Sequence, residues 1–269
     1  YAVNVSANDV ATSGARPRFI EAVILLPEDS STEDVSRVSE EIDEAAKALR
    51  LSILGGHTEL TPGLSRPIIV TTAFGLTDRF VTAGDARLGD AILMTKSAGV
   101  EGTYILASLL KKDYEDHLGM LSAYDMIKKL SVVEEAGIAF KTGFVHAMHD
   151  PTEGGVLGGI IEMASASNLG FYVEESKIPI AEETKRVCQK FSIDPLKLIG
   201  SGSLLIAVPK SAASYISDQL KSRNILVSQV GYFTEEGRIL ERSDGRAEEM
   251  PTSIIDEIWR IFEEKEIFV

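Results

Sequence analysis

The chain has 269 residues, of which 44% are hydrophobic, and its formal net charge is −14 with a sequence pI near 4.8. This composition indicates a globular protein that buries a large core as one large domain or two. Because so acidic a chain lacks the basic patches that nonspecific binding to nucleic acid or anionic membranes requires, we expect neither among its partners.

The cysteine content and the hydropathy pattern indicate a cytoplasmic protein. The single cysteine, Cys188, excludes an internal disulfide and a multi-cysteine zinc site, and it fits a reducing compartment. No run of about 18 apolar residues predicts a membrane span, and no basic and apolar segment predicts a signal peptide. The sequence opens at Tyr1 without a methionine, so we expect a fragment or a trimmed chain.

Alternating strand and helix signals predict a first domain over residues 1–86. In chain order its elements are a strand FIEAVILLP (19–27), a helix that follows a capping box of Ser31 and Asp34, and strands SILGGHTEL (52–60) and RPIIVTTAFGL (66–76). Together they predict the first half of a mixed α/β (α+β) fold.

A second domain is predicted over residues 87–245, and a terminal helix over 246–269. Its elements are the strand AILMTKS, the helix GTYILASLLKK, a helical region at roughly 120–141, the helix after HDPTEGG, the strand GFYVEES, a helix around Cys188, the strand SLLIAVP, the helix SAASYISDQLKSR, and strands ILVSQVGYF and GRILER. In the terminal helix, one side carries Ile254, Ile255, Ile258, Ile261 and Phe262.

The segment HDPTEGG (149–155) stands directly before an apolar, helix-like run. Thr152 can cap that helix, and the acidic Glu153 suits its positive end. Gly154 and Gly155 weaken a first turn by about 1 kcal/mol each relative to alanine, so we expect something to approach the backbone closely there. The free N–H groups of a helix start favour an anion, and the alternatives of a plain helix start and a phosphate site stay open.

Two further motifs fall in the first domain. Asn8 and Asp9 precede a possible short helix that ends at Gly14, and this Asn-Asp pair is either turn chemistry or part of a site. His57 and Glu59 project to the same face if 52–60 is a strand, because side chains alternate along a strand. Such a pair can ligate a metal or transfer a proton, although it can equally be an accidental surface pair.

The remaining candidates carry weaker signals. The loop KSAGVEGTY (96–104) opens a helix with two glycines but lacks the spacing of a dinucleotide fingerprint or a Walker A loop. We interpret His117 and His146 as ordinary histidines, because neither belongs to a cluster of metal-ligating side chains. Cys188 lies on a predicted helix with no histidine nearby in sequence, so we expect it to pack in the core rather than act as a nucleophile.

Five motifs in one order give the chain a resemblance to a known superfamily. They are VNVSANDVATSGARP, GGHTELTPG, LGDAILMTKSAGVEGTYILA, HDPTEGG and IGSGSLLIAVP. Their order resembles the superfamily of aminoimidazole ribonucleotide (AIR) synthetase, selenophosphate synthetase, thiamine monophosphate kinase and the hydrogenase-maturation carbamoyl dehydratase. SANDVATSGARP, HDPTEGGVLGGIIEMA and DPLKLIGSGSLLIAVP make it most similar to the last of these, the HypE-like branch.

The resemblance implies a two-domain PurM-like fold. An N-terminal domain would form a homodimer through a β-barrel, a C-terminal α/β domain would follow, and ATP would lie at their junction with Mg²⁺. The shared chemistry is the activation of an oxygen atom as a phosphate, or phosphoryl transfer to a small-molecule acceptor, with magnesium stabilising the charge.

The resemblance also implies roles for individual residues. Asp9 and Asp150 become candidate metal ligands, and His57 stands where relatives usually have Asp or Glu. A neutral imidazole is a poor magnesium ligand, so either Glu59 substitutes for it or one metal site is weakened. His57 and Glu59 are the candidates for catalysis. The candidate ATP and phosphate contacts are Asn8, Gly55, Gly56, Thr58, Thr152, Gly154 and Gly155.

Two departures from the superfamily pattern leave other functions open. Maturation dehydratases end in a Pro-Arg-Ile-Cys tail whose thiol carries the carbamoyl group, whereas this sequence ends in EEKEIFV, which argues against the carbamoyl-to-cyano reaction. The superfamily's earlier glycine-rich N-terminal segment is also missing before Tyr1. The alternatives are therefore a catalytically inactive nucleotide-binding regulator or structural dimer, and an AIR synthetase-like cyclase of purine biosynthesis.

Overall fold

The computed structural model describes residues 1–110, 123 and 125–264, so His117 lies outside the described residues. Packing divides the chain into one unit of Tyr1–Phe80 and a second unit that begins at Val81. The domain limits at residues 86 and 245 stay predictions. No helix in the described part of the chain is long and apolar enough to cross a membrane.

The first unit is built on a three-stranded sheet with the order β2-β1-β3, in which β1 runs parallel to β2 and antiparallel to β3. Strand alternation buries Ile20, Ala22, Ile24 and Leu26 on one face of β1, and helix α1 packs on β1 and β3. The elements are α1 (Ala2–Thr12), β1 (Arg16–Pro27), α2 (Thr32–Leu49), β2 (Ser52–Thr61) and β3 (Ile68–Leu76).

The capping box predicted for α2 is confirmed. The hydroxyl of Ser31 accepts the N–H of Asp34 at 3.2 Å, and the carboxylate of Asp34 accepts the N–H of Ser31 at 3.0 Å. These two bonds satisfy N–H groups at the start of the helix that have no partner within the helix. The Ser31 and Asp34 pair alone therefore located the start of α2 in the sequence.

The prediction that Asn8 and Asp9 precede a short helix is wrong, because both residues lie inside α1. Val3, Ala7 and Ala11 recur every four residues and are buried on one side of the helix. Asn8 shares this buried side, whereas Asp9 is exposed. The apolar periodicity of α1 outweighs the turn preference of the Asn-Asp pair.

The second unit is built on a seven-stranded mixed sheet with the order β10-β9-β6-β8-β4-β7-β5. Among the described strand pairs of this seven-stranded sheet, only β6 and β9 run parallel to each other. The strands are β4 (Ala91–Thr95), β5 (Ala147–His149), β6 (Gly170–Glu174), β7 (Leu205–Val208), β8 (Val227–Thr234), β9 (Arg238–Glu241) and β10 (Ala247–Glu249). The sequence patterns did not predict the short strands β5 and β10.

Helices cover this sheet, and the most buried of them follows the HDPTEGG motif. It packs Val156, Leu157 and Ile160 against Ile92 and Phe171 of the sheet in the main hydrophobic core. The helices are α3 (Val100–Leu110), α4 (Val133–Lys141), α5 (Gly155–Ala166), α6 (Glu182–Phe191), α7 (Ala213–Lys221) and α8 (Glu257–Glu264).

The helical region predicted at roughly 120–141 consists, in its described part, of a 3-10 helix at Asp125–Lys129 followed by α4, with residues 130–132 between them. Lys96 donates its Nζ hydrogens to the carbonyls of Lys129 and Ser131. The Lys96 ammonium group therefore binds the segment between the 3-10 helix and α4.

The predicted apolar side of the terminal helix needs a correction. The helix begins at Glu257, after Asp256, whose Oδ1 accepts the N–H of Ile258 at 2.8 Å. Ile255 precedes the helix and is 85% exposed, so placing it on the packed side is wrong. Ile258 and Ile261 are buried as predicted.

Candidate functional site

The HDPTEGG motif forms the connection between strand β5, which ends at His149, and helix α5. No side chain of the motif caps the helix, so the prediction that Thr152 does so is wrong. Gly154 is the N-cap residue, with a left-handed φ of 79°. The carbonyl of Thr152 instead accepts the N–H groups of Gly155 at 3.1 Å and Gly200 at 3.2 Å. The motif is therefore joined to the later loop around Gly200.

Gly155, the second glycine of the motif, lies in close contact with the backbone of another segment of the chain. Gly155 has a φ of 62°, and a Cβ atom there would lie 2.6 Å from the carbonyl oxygen of Leu198 and 2.7 Å from that of Leu196. Any side chain would therefore collide with the backbone of this neighbouring segment. A close approach to Gly155 was expected, and the groups that approach it are the backbone carbonyls of Leu196 and Leu198.

Asp256 supplies the acceptor that the start of α5 lacks. Its Oδ2 accepts the N–H of Gly154 at 2.7 Å, and its Oδ1 accepts that of Ile258 at 2.8 Å. Burial raises the pKa of this carboxyl, and the nearby backbone N–H groups of Ile258, Gly154 and Ile199 oppose that shift. Sequence reasoning missed Asp256 because its partner Gly154 lies 102 residues earlier.

Three of the sequence motifs meet at this place. The N–H of Gly102, in the KSAGVEGTY loop, donates to the carbonyl of Ile199 at 3.0 Å. Glu101 is fully buried, and its carboxylate accepts the N–H of Ser201 at 3.2 Å. KSAGVEGTY, HDPTEGG and IGSGS are thus hydrogen-bonded into one cluster. Glu101 was not among the predicted site residues, although an acid between two glycines at a helix start was a signal for it.

Asp150 provides a buried carboxylate in this cluster, with 4% of its surface exposed. Carboxylate oxygens are ligands that Mg²⁺ prefers, and magnesium commonly takes one or two of them together with phosphate oxygens and water. Within residues 1–110, 123 and 125–264, no group of three or more His, Cys, Asp or Glu side chains could hold a metal ion by itself. Asp150 fits the role of a single ligand to a metal that a phosphate also binds.

The predicted pair on strand β2 is confirmed in its geometry. Nε2 of His57 lies 3.0 Å from Oε2 of Glu59, and both side chains are exposed. In the sheet register, His57 stands beside Val23, on the face of β1 that is not buried. Thr58 stands beside Ile24, on the opposite face. The GGHTE residues are therefore divided between the two faces of the sheet.

Gly56 is also explained by a close backbone contact. A Cβ atom at this position would lie 1.8 Å from the carbonyl oxygen of Ala22 on β1. The register between β1 and β2 shifts just before it, between Ile20 and Glu21, where Leu54 is the additional residue. Gly55 and Gly56 follow this bulge, so the strand pairing itself requires a glycine at residue 56.

Helix α1, which carries Asn8 and Asp9, is hydrogen-bonded to strand β3 at its N-terminal end. The hydroxyl of Thr71 on β3 donates to the carbonyl of Ala2 at 2.8 Å, and Thr71 stands opposite Ala22, which in turn pairs with Gly56. Further along the helix, Cγ1 of Val10 lies 2.7 Å from where a Cβ atom of Gly75 would be. The Asn8–Asp9 motif is therefore nearer to Gly75 along β3 than to the row of Gly56.

His146 and Cys188, which were predicted to have no role in catalysis, have structural roles. Nδ1 of His146 lies 2.8 Å from Oδ2 of the buried Asp90. Cys188 is buried in a hydrophobic cluster, and burial raises the pKa of its thiol to about 12. A thiol in such surroundings stays protonated at neutral pH, so Cys188 packs and does not act as a nucleophile.

Comparison with known proteins identifies families for both units. Residues 1–77 match the family model described as the AIR synthase related protein, N-terminal domain. Residues 87–241 match the model described as the AIR synthase related protein, C-terminal domain. The second match alone covers more than half of the chain.

Individual relatives agree with this assignment. A protein of Methanocaldococcus jannaschii named as a hydrogenase expression/formation protein is 32% identical over 251 residues, which are 91% of this chain and 73% of that protein. The carbamoyl dehydratase HypE of Bradyrhizobium diazoefficiens is 28% identical over 221 residues, which are 80% of this chain. The chain spans 62% of the length of that enzyme.

A solved structure shows the same architecture. The crystal structure of the hydrogenase maturation protein HypE in complex with ATP matches with a TM-score of 0.83 at 25% identity, over 97% of this chain and 80% of that one. The predicted mixed fold is confirmed by this likeness and by the two observed sheets. The chain therefore belongs to the AIR synthase related family, has its two-domain PurM-like fold and is HypE-like.

Proposed function

We propose that this protein is an ATP- and Mg²⁺-dependent enzyme that phosphorylates an oxygen atom of a small-molecule acceptor. The observation that carries the proposal is the cluster in which three family motifs are hydrogen-bonded to one another beside the buried Asp150. The HypE relative of the same fold is described in complex with ATP. Bound magnesium would neutralise charge on the phosphate oxygens.

In this proposal, Asp150 and Asp9 are the carboxylates that bind the metal. A buried carboxylate is poorly solvated, so a cation is an especially favourable partner for Asp150. Asp9 is exposed on α1, so a ligand held against the first unit can reach its carboxylate. The proposed contacts to ATP and its phosphates are Asn8, Gly55, Gly56, Thr58, Thr152, Gly154 and Gly155.

The observed hydrogen bonds refine what the glycines contribute. The N–H of Gly154 already donates to Asp256 at 2.7 Å, and the N–H of Gly155 donates to Thr152. We therefore propose that these glycines contribute a compact turn beside the phosphates, while other groups supply hydrogen bonds to the phosphate oxygens.

His57 and Glu59 are the proposed catalytic pair. Their 3.0 Å contact lets the carboxylate hold a proton on the imidazole or accept one from it. An imidazole does not replace a carboxylate as a magnesium ligand, so Glu59 is the group of this pair that can bind the metal.

We further propose that the protein is a cytoplasmic homodimer. Strand β3 exposes the apolar side chains of Ile68, Val70 and Phe74 on one face of a three-stranded sheet, and among the described residues β2 and β3 are its edge strands. Exposed apolar faces and free strand edges favour association with another copy of the chain. The buried, protonated thiol of Cys188 is compatible with a reducing compartment.

Calorimetry on the full-length protein with ATP, with and without Mg²⁺, tests the nucleotide proposal. Asp150→Asn keeps the shape of the side chain but removes its charge, so we expect it to weaken Mg²⁺-dependent ATP affinity by about tenfold or more. Asp218→Asn, at an exposed position of α7, is the matched control and should bind ATP like the wild type. Wild-type affinity in Asp150→Asn would contradict the metal role.

The same measurements separate the alternative functions. If the wild type binds no ATP in either condition, the nucleotide proposal is wrong. Tight binding without ATP turnover across candidate acceptors would favour a nucleotide-binding regulator or structural dimer. Turnover with only the purine precursor would favour an AIR synthetase-like cyclase.

A further inference from the structure

The carboxylate of Asp256 connects the HDPTEGG turn to the terminal segment of the second unit. Its Oδ2 accepts the N–H of Gly154 in the turn at 2.7 Å, and its Oδ1 accepts that of Ile258 in helix α8 at 2.8 Å. Asp256 lies beyond residue 241, where the match to the family model ends. The contact therefore belongs to a part of the chain to which that match assigns no role.

We propose that Asp256 is a positioning residue for the ATP site. Its carboxylate holds the HDPTEGG turn to the terminal segment and so fixes the backbone that presents Asp150. The inference rests on the function proposed above. The same turn is joined to the IGSGS loop by Thr152, whose carbonyl accepts the N–H of Gly200 at 3.2 Å. Hydrogen bonds from Asp256 and Thr152 thus fix the turn to two neighbouring segments.

The charge of Asp256 suits this role. The residue is 2% exposed, and a buried carboxylate is stable only when hydrogen bonds replace the water that it has lost. The backbone N–H groups of Gly154 and Ile258 do so, while the nearby charge of Glu153 acts against ionisation. Bonds from N–H groups to a carboxylate are shorter and stronger than bonds between neutral groups, so Asp256 constrains the turn more tightly than a neutral side chain would.

Packing on both sides of Asp256 fixes its place. Before it, Ile254 contacts the main core beneath α5. After it, Ile258 and Ile261 of α8 are buried in a cluster with side chains of α3 and α6. The guanidinium of Arg260 donates to the carbonyl of Ser192 at 2.8 Å, just after α6. The terminal segment is therefore anchored independently of the turn that Asp256 holds.

Asp256→Asn is the decisive variant, because it preserves the shape of the side chain and replaces one acceptor oxygen by an NH₂ group. That NH₂ group would face a backbone N–H, so the hydrogen bond to Gly154 or the one to Ile258 must break. We expect the affinity for ATP with Mg²⁺ to fall by about tenfold, the equivalent of one charged hydrogen bond. The amide resonances of Gly154 and Ile199 should shift in the ATP-free protein.

Ile261→Ala separates positioning from general loss of stability. It removes buried side-chain volume from the same terminal segment but leaves the carboxylate in place, so it should lower Tm. Its ATP affinity, measured by calorimetry well below that Tm, should stay within about twofold of the wild type, since no hydrogen bond to the turn is lost. Asp218→Asn serves as the surface control for both measurements.

Each outcome decides the proposal. Wild-type ATP affinity in Asp256→Asn, with shifted Gly154 and Ile199 amides, would overturn the positioning role and leave the proposed function intact. Failure of the wild type itself to bind ATP would overturn both. If Asp256→Asn does not fold, hydrogen exchange in the wild type decides. We expect the Gly154 amide to be protected both without and with ATP, and rapid exchange in both states would overturn the proposal.

Discussion

The Nζ atom of Lys96 lies 2.7 Å from Oε1 of Glu135, a side chain that is only 3% exposed. Lys96 follows strand β4 in a left-handed conformation, and Glu135 belongs to α4. The same ammonium group also bonds to the carbonyls of Lys129 and Ser131. One cation therefore joins the end of a central strand to a helix and to the break before it.

Removing the carboxylate from this pair should destabilise the protein. In Glu135→Gln the largely buried ammonium group loses its countercharge, so we expect the free energy of unfolding to fall by about 2–4 kcal/mol. Urea denaturation measures the change. Glu134→Gln, the exposed neighbour on the same helix, is the matched control and should change stability by less than about 0.5 kcal/mol. Equal effects of the two variants would show that the ion pair contributes nothing.

Gly155→Ala should be strongly destabilising. The new methyl group would meet the carbonyl oxygens of Leu198 and Leu196 at 2.6 and 2.7 Å, and the left-handed backbone disfavours alanine as well. We expect a loss of about 2 kcal/mol or more in thermal or urea unfolding. Gly137→Ala is the control, since Gly137 lies in α4 with open space around it. That change should stabilise the protein by about 0.5–1 kcal/mol, because alanine favours helix.

Cys188 should resist alkylation in the folded protein. Burial raises the pKa of its thiol to about 12, so at pH 8 we expect reaction slower by on the order of a thousandfold than for a free cysteine. The rate of iodoacetamide labelling, followed by mass spectrometry before and after unfolding, measures this difference. Equal labelling rates in the two states would contradict the burial of the thiol.

The raised pKa of Cys188 also fixes the sign of its effect on stability at alkaline pH. The folded state holds the thiol proton more tightly than the unfolded state. The protonated thiol therefore contributes its full stabilisation of the folded state below pH 9.0, the ordinary thiol pKa. This stabilisation is lost as the pH rises toward 12. Relative to Cys188→Ala, the wild type should therefore lose stability across this interval.

A charge on the exposed face of β3 should dissociate the proposed homodimer. Val70 is 52% exposed on that face, and Val70→Glu would place a carboxylate in the apolar contact between copies. Sedimentation should show a dimer for the wild type and a weakening of association by at least about a hundredfold for the variant. Leu88→Glu, at another exposed apolar position, should remain dimeric. A monomeric wild type would refute the dimer.

Local patterns predicted the features whose causes are local. The capping box of Ser31 and Asp34 located α2, and strand alternation placed His57 and Glu59 on one face. Each of these involves residues two or three positions apart, so their chemistry can be read from the sequence alone.

The features that sequence reasoning missed depend on distant contacts. The start of α5 relies on Asp256 rather than on Thr152, and no local pattern connects residues 102 positions apart. Gly155 was correctly interpreted as a point of close approach, but only the fold shows that Leu196 and Leu198 make the contact. The role of Glu101 likewise depends on Ser201, which lies 100 residues later.

The bond between Gly154 and Asp256 has a practical consequence for preparing the protein. A fragment designed from the family match alone would stop at residue 241 and would lack Asp256 and all of α8. It would leave the Gly154 N–H without its acceptor and expose the apolar cluster that Ile258 and Ile261 cover. Expression fragments intended for ligand screening should therefore extend at least through Glu264, the last residue of α8.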